Sequence, residues 1–180
     1  MSEFKSKDDT AQGESETMAA VNIVTLSPWR RNAPVTLLDA VPYLRSIWRD
    51  DLADIAAVHI RQWETDPAES GNILIASAGG AIVGITGWYR MSPRAAGLRW
   101  HGVVPEARKR GYSRQMIELA CNDMPGKIRH VYEVTRNLES RDAFCRCGFE
   151  VMTDPKVIRR AVEDAEYDID AGGWVLRKSR

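Results

Sequence analysis

The sequence predicts an α+β fold: a mixed, mainly antiparallel β-sheet flanked by helices. Three observations lead there. Segments follow in the order strand, two helices, three strands, helix, strand, helix and two strands, with a further helix before the last strand. Two β-rich runs flank Gly79-Gly80, a strong hairpin signal. Between Gly97 and Met124 a strand, a basic glycine turn and a helix follow one another.

Residues Met1 to about Ala19 are Ser, Glu, Asp, Lys and Gly with almost nothing apolar, so a disordered tail over 1–19 precedes a single domain over 20–180. Val21–Leu26 is a first strand, and Pro28–Pro34 is a loop carrying Trp29-Arg30-Arg31. Leu37–Trp48 and Leu52–Trp63 are helices; in the second, Leu52, Ile55, Ala56, Val58, His59 and Trp63 recur at helical spacing. Asn72–Ala78 and Ala81–Tyr89 form the hairpin, and Gly97–Val104 is the next strand. Tyr112–Met124 carries a broad apolar face and stops at Pro125-Gly126. Arg129–Thr135 is a strand, and Ser140–Cys147 is a short helix ended by Gly148. Phe149–Thr153 is a strand, Pro155 to about Ala165 a helix, and Trp174–Lys178 the last strand.

Composition bounds the function classes. The chain has 180 residues and 44% hydrophobic content, enough for one domain with a real core. Its 25 basic and 25 acidic residues balance, so net charge gives no pull toward nucleic acid or a membrane surface. No run reaches the length of a membrane span. Three cysteines, Cys121, Cys145 and Cys147, with no signal-like apolar stretch, predict a reducing, cytoplasmic setting. Cys145 and Cys147 are too close for a usual zinc pair and have no Cys/His cluster beside them, so no metal is expected.

The centre of the functional signal is Arg108-Lys109-Arg110-Gly111-Tyr112-Ser113. The first N–H groups of a helix have no intrahelical partner, and the helix dipole adds positive potential there. Gly111 lets a ligand approach the backbone, and Ser113 is small and able to cap the helix. Arg108, Lys109, Arg110 and Arg114 add charge that suits a polyphosphate.

This order of elements, with the glycine turn opening the central helix, resembles the GNAT superfamily of N-acetyltransferases. The family's pyrophosphate motif, R/Q-x-x-G-x-G/A, stands here as Arg108-x-x-Gly111-x-Ser113, after a strand that ends at Val103-Val104-Pro105. Downstream, Asn137 is followed by a short helix ending in Cys147-Gly148-Phe149. The resemblance covers about Ile73 to Met152. It departs at Ser113, where the family has Gly or Ala, and at Phe144, where many members carry a Tyr that donates a proton to the leaving thiolate.

The resemblance implies an acetyl-CoA-dependent N-acetyltransferase that acts by direct attack of an amine acceptor. The resemblance also implies a splayed central strand pair, Gly97–Val104 and Arg129–Thr135; acetyl-CoA would lie in the V between them, its pantetheine arm along the backbone of Val103 and Val104. Backbone N–H groups around Lys109, Arg110, Gly111, Tyr112, Ser113 and Arg114 would hold the pyrophosphate. Asn137 and Phe144 would line the pantetheine side, and Arg146 would reach the nucleotide end. A backbone N–H at a strand bulge would stabilise the oxyanion. Two other readings stand beside this one: a non-catalytic acyl-CoA-binding regulatory module, in which Phe144 marks lost chemistry, and an enzyme acting on a protein amine or an aminoacyl-tRNA. A homodimer is compatible with each.

The acceptor must lose a proton, and two residues are candidate bases. His101 sits on the strand that leads to the cofactor site, and Glu133 sits inside an apolar strand. The acid is Tyr132, Tyr112, Cys145 or none. Trp48, Trp63, Trp88 and Trp100 are available to an acceptor pocket, most of them as core. An acidic run, Glu163, Asp164, Glu166, Asp168 and Asp170, favours a cationic amine if it is not simply a solvated face, whereas Trp29-Arg30-Arg31 favours an anionic acceptor. The two hints conflict and leave the acceptor open.

Overall fold

The computed structural model describes residues 22–26, 37–65, 71–163 and 173–180. The expectations for the tail over 1–19, for Trp29-Arg30-Arg31 and for the acidic run beyond Glu163 lie outside these residues, as do those for the side chains of Trp63 and Glu163.

The order is β1 (Asn22–Leu26), α1 (Leu37–Ile47), α2 (Asp50–Thr65), β2 (Gly71–Ala78), β3 (Ala81–Ser92), β4 (Ala95–Val103), a 3₁₀ turn (Pro105–Ala107), α3 (Tyr112–Asp123), β5 (His130–Thr135), α4 (Leu138–Arg146), β6 (Glu150–Val151), α5 (Pro155–Glu163) and β7 (Trp174–Ser179). One sheet of seven strands runs β1-β2-β3-β4-β5-β7-β6. Every neighbouring pair is antiparallel except β4 and β5, which run parallel. The predicted mixed, mainly antiparallel sheet is therefore present.

Local chemistry explains the connections. Gly79 and Gly80 have φ of 58° and 83°, the pair of left-handed residues that a two-residue hairpin matching strand twist requires. α4 ends as expected at Gly148, with φ 84°, and the Phe149 N–H returns to the Phe144 carbonyl at 3.2 Å. The strand expected over Phe149–Thr153 shrinks to two residues. Phe149 turns into the core against Phe144, and the Asp154 carboxylate accepts the Lys156 N–H to open α5.

The sheet divides two apolar layers. On one face, α3 and α4 cover Leu74, Trp88, Leu98, Val131 and Leu176 with Ile117 and Phe144. On the other, α1 and α2 bring Leu44 and Ala56 onto Ile73, Ile75, Ile85 and Tyr89. The Asp123 carboxylate ties the end of α3 to the sheet, accepting from Asn72 Nδ2 and Trp88 Nε1, each at 2.7 Å. Among the described residues no helix is long and apolar enough to cross a membrane.

β4 and α1 meet without a spacer. A Cβ at Gly102 would overlap Ile47 Cγ2 and come within 3.0 Å of Trp48 Cζ2. Gly102→Ala is therefore expected to lower unfolding free energy by about 1–3 kcal/mol, the usual cost of overpacking. Urea denaturation at neutral pH measures it, and an unchanged midpoint would mean that α1 is not seated on β4.

Candidate active site

β4 and β5 share backbone pairing over only three positions, Ala95↔His130, Ala96↔Val131 and Gly97↔Tyr132. Beyond Gly97, β4 stays with β3 as far as Val103, while β5 stays with β7 as far as Thr135. The two strands diverge into the expected V. On β4 the register against β3 shifts between Ile85 and Gly87, and Trp100 takes φ 56°. A bulky residue in the left-handed region is strained and persists only where its surroundings over-determine it. The surroundings here are aromatic: the Trp100 ring lies 5.7 Å from that of Trp48 and 5.5 Å from that of His59.

The bulge sorts side chains between the two faces of the sheet. Arg99 lies over the Trp100 ring at 5.5 Å, on the face of α1 and α2. His101 points the other way, to α3 and α4. Its Nε2 is 2.9 Å from the Ser113 hydroxyl, and its ring stands edge-on to Phe144 at 5.3 Å.

A cavity of about 580 Å³ opens through the V. Leu98, His101, Glu133, Asn137, Ser140 and Phe144 line it toward α3 and α4. Trp48, Leu52, Ile55, Tyr89, Arg99 and Trp100 line it toward α1 and α2, with Tyr132 and Met91 beside them. Glu133 is buried in this wall, and its Oε2 has no hydrogen-bond partner. Burial raises its pKa well above the ordinary carboxylate range, and the nearby Arg99 charge opposes that rise. Burial acts in the opposite sense on His101, whose pKa falls from 6.5 to about 4. A neutral imidazole and a carboxyl that holds its proton tightly, on the wall of one cavity, are groups able to accept and position protons in a dry site.

The glycine turn lies at the other end of β4. Arg108 is extended, Lys109 takes φ 62°, and Gly111, at φ 79°, is the N-cap of α3. No side chain caps this helix. Ser113 sits inside the first turn, where its hydroxyl meets His101 rather than capping as expected. Arg108, Lys109 and Arg110 are exposed around the turn, and Arg108 Nε donates to the Val103 carbonyl at 3.2 Å. Arg114 is paired with Glu118 at 2.9 Å.

The remaining expected residues separate into two groups. The Val104 N–H donates to the Val83 carbonyl, and the Val104 carbonyl accepts from Ala107, so both of its backbone groups are engaged. By strand alternation, Val103 turns its backbone to the open side of the V. Tyr112 is buried with Val83, Val104 and Met116, so its phenol is withdrawn from the cavity. Cys145 and Arg146 are exposed on α4 and do not line the cavity. Asn137 N-caps α4, its Oδ1 accepting from Glu139 and Ser140 at 2.8 and 3.2 Å, while its side chain also borders the cavity. Of the tryptophans, Trp48 and Trp100 line the cavity; Trp88 is core, bonded to Asp123. Tyr132 is the one acid candidate that lines the cavity. Sequence reasoning passed over Arg99. Its signal was three consecutive large polar or aromatic residues, Arg99-Trp100-His101, where a regular strand would alternate.

Comparison with known proteins agrees with this geometry. The model of the acetyltransferase (GNAT) family matches residues 37–149. No curated protein matches the chain. Among solved structures, an acetyltransferase assigned to the GNAT family from Desulfovibrio desulfuricans superposes with a TM-score of 0.65 at 17% identity, covering 89% of this chain and 99% of its own. The Bacillus subtilis acetyltransferase in complex with CoA gives 0.59 at 17% identity, over 89% of this chain and 99% of its own. The PaiA N-acetyltransferase of Thermoplasma acidophilum in complex with coenzyme A gives 0.61 at 14% identity, over 89% and 99%. At these identities the likeness is one of fold.

The opposite pKa shifts make a test of the site's dryness. Between pH 6.5 and 4 the unfolded chain protonates His101 and the folded chain does not, so the fold loses stability as pH falls through that window. Glu133 acts with the other sign: the fold keeps a proton that the unfolded chain has lost, so stability falls as pH rises above 4.5. His101→Gln is expected to reduce the stability lost between pH 7 and pH 4.5 by roughly 2–3 kcal/mol relative to wild type. Urea unfolding at both pH values measures it, and an identical loss in the variant would place His101 in solvent.

Proposed function

Because the chain belongs to the acetyltransferase (GNAT) family, we propose that it transfers an acetyl group from acetyl-CoA to an amine by direct attack. The observation that carries this reading is Glu133, a buried carboxyl with a free oxygen in the V where β4 and β5 part. The CoA held by the Bacillus and Thermoplasma structures is the cofactor assigned here, and the residues present fit it. Gly111 opens α3 without a side-chain cap, so the N–H groups of Gly111, Tyr112, Ser113 and Arg114 would meet the pyrophosphate. Arg108, Lys109 and Arg110 would add charge around it. The outward backbone of Val103 would meet the pantetheine arm, with Asn137 and Phe144 beside it, and Arg146 would reach the nucleotide end. Val104 would contribute only its buried side chain. Bound acetyl-CoA supplies an activated thioester.

The chain's own residues do the rest. Glu133 takes the proton that the acceptor nitrogen gives up as its bond to the acetyl carbon forms and the thioester C–S bond breaks; the thiolate regains a proton from solvent. A raised pKa makes Glu133 a stronger base than an ordinary carboxylate. His101, held neutral, positions the first turn of α3 through Ser113. The bulge frees backbone groups of β4 from the β3 ladder, and one such N–H would face the developing oxyanion. Phe144 has no proton to give, and an ordinary thiol pKa near 8.5 allows the thiolate to leave without an acid.

Two measurements test the proposal. In calorimetry, Gly111→Arg is expected to abolish CoA binding while the circular dichroism spectrum stays native; unchanged affinity would remove the cofactor assignment. In kcat/KM against pH, the acid limb is expected above the ordinary carboxylate range in wild type and in His101→Gln. Glu133→Gln should lose that limb and about 10²–10⁴ of the rate, with CoA affinity kept. A limb that survives Glu133→Gln, or one that sits near pH 4 and vanishes with His101→Gln, contradicts the assignment of the base.

A further inference from the structure

We propose that the acceptor is an α-amino acid with a large apolar or aromatic side chain, its carboxylate on Arg99 and its amine at Glu133. This rests on the acetyltransferase reading of the same cavity. Among the described residues, Arg49, Arg99 and Arg136 line the cavity against one carboxyl, that of Glu133. Arg49 is at the exposed rim and is paired with Asp51 at 3.2 Å. Arg99 is half-buried over the Trp100 ring, and no carboxylate among the described residues lies within ion-pair distance of it. A guanidinium set in an aromatic wall binds a planar anion through two parallel hydrogen bonds and repels a polycation.

Arg99 and Glu133 belong to the two diverging strands and line one cavity, and the Arg99 charge acts on Glu133 without pairing to it. An acceptor that meets both carries an amine and an anion on one small scaffold, as an α-amino acid does. Trp48 and Trp100 meet edge to face, and Leu52 and Ile55 of α2 remain 40% and 46% exposed while bordering the same cavity. Apolar surface left open on the wall of a concave site is what a large hydrophobic side chain covers.

The test compares L-phenylalanine with phenethylamine, which lacks only the carboxylate, as acceptors with acetyl-CoA. In wild type kcat/KM should favour phenylalanine by roughly 10–100-fold, the worth of one charged hydrogen-bond pair. Arg99→Gln should bring the ratio close to one. Any change this variant makes in Glu133 acts on both acceptors and cancels in the ratio. A wild-type ratio at or below one, or a ratio that survives Arg99→Gln, overturns the proposal. Calorimetry with N-acetyl-L-phenylalanine and the CoA-loaded protein separates this inference from the reading beneath it. Arg99-dependent binding without turnover of either amine keeps the anion site and removes the transfer reading. Binding that is absent, or indifferent to Arg99→Gln, removes the anion site.

Discussion

Parallel strands β4 and β5 stop pairing after Gly97 and Tyr132, and everything functional in this molecule is arranged around that separation. The separation is enforced from both sides. β5 keeps its partner β7 to Thr135, and β4 keeps β3 to Val103, so neither strand can return to the other. Helices lock the diverging β4 in place: Ile47 of α1 and Trp48 just beyond it press on Gly102, while Ser113 of α3 holds His101. The extra residue at the bulge then turns neighbouring side chains to opposite faces, which makes one strand serve both halves of a through-going cavity.

The electrostatics follow from the same geometry. A cavity roofed by Phe144, Leu98 and the paired tryptophans gives little solvation to charge, and burial pushes two of its titratable groups in opposite directions: His101 down to about 4, Glu133 well up. Each holds its neutral form more strongly than in water. Arg99 is the counterweight, a permanent cation whose charge opposes the rise at Glu133. At the far end of β4 the problem is reversed. The glycine turn leaves helix N–H groups and three exposed cations facing outward, a setting for negative charge.

What was legible in the sequence was local. Gly79-Gly80 and Gly111 take the left-handed backbone that their contexts demanded, Gly148 stops α4, and the order of strands and helices could be read from periodicity. Glu133 stood out because a carboxylate in an apolar strand needs a reason. Non-local pairing was not legible. Val104 looked equivalent to Val103 until the hydrogen bond to Val83 showed which of the two faces the V. Tyr112 lies in the motif, yet its ring belongs to the core; Ser113 was expected to cap but serves His101 instead. Arg99 and the strained Trp100 depend on a register shift against β3; the run Arg99-Trp100-His101 breaks the alternation of β4, but the pairing with β3 decides which face each side chain takes.

In the function proposed here, acetyl-CoA enters the V along Val103 and ends on the glycine turn. Amide hydrogen exchange followed residue by residue, with and without CoA, tests it most directly. The account predicts new protection at Val103 and at Tyr112, Ser113 and Arg114, while Val104, already bonded to Val83, stays as it was. Protection confined to other parts of the sheet, or none at saturating CoA, would contradict it.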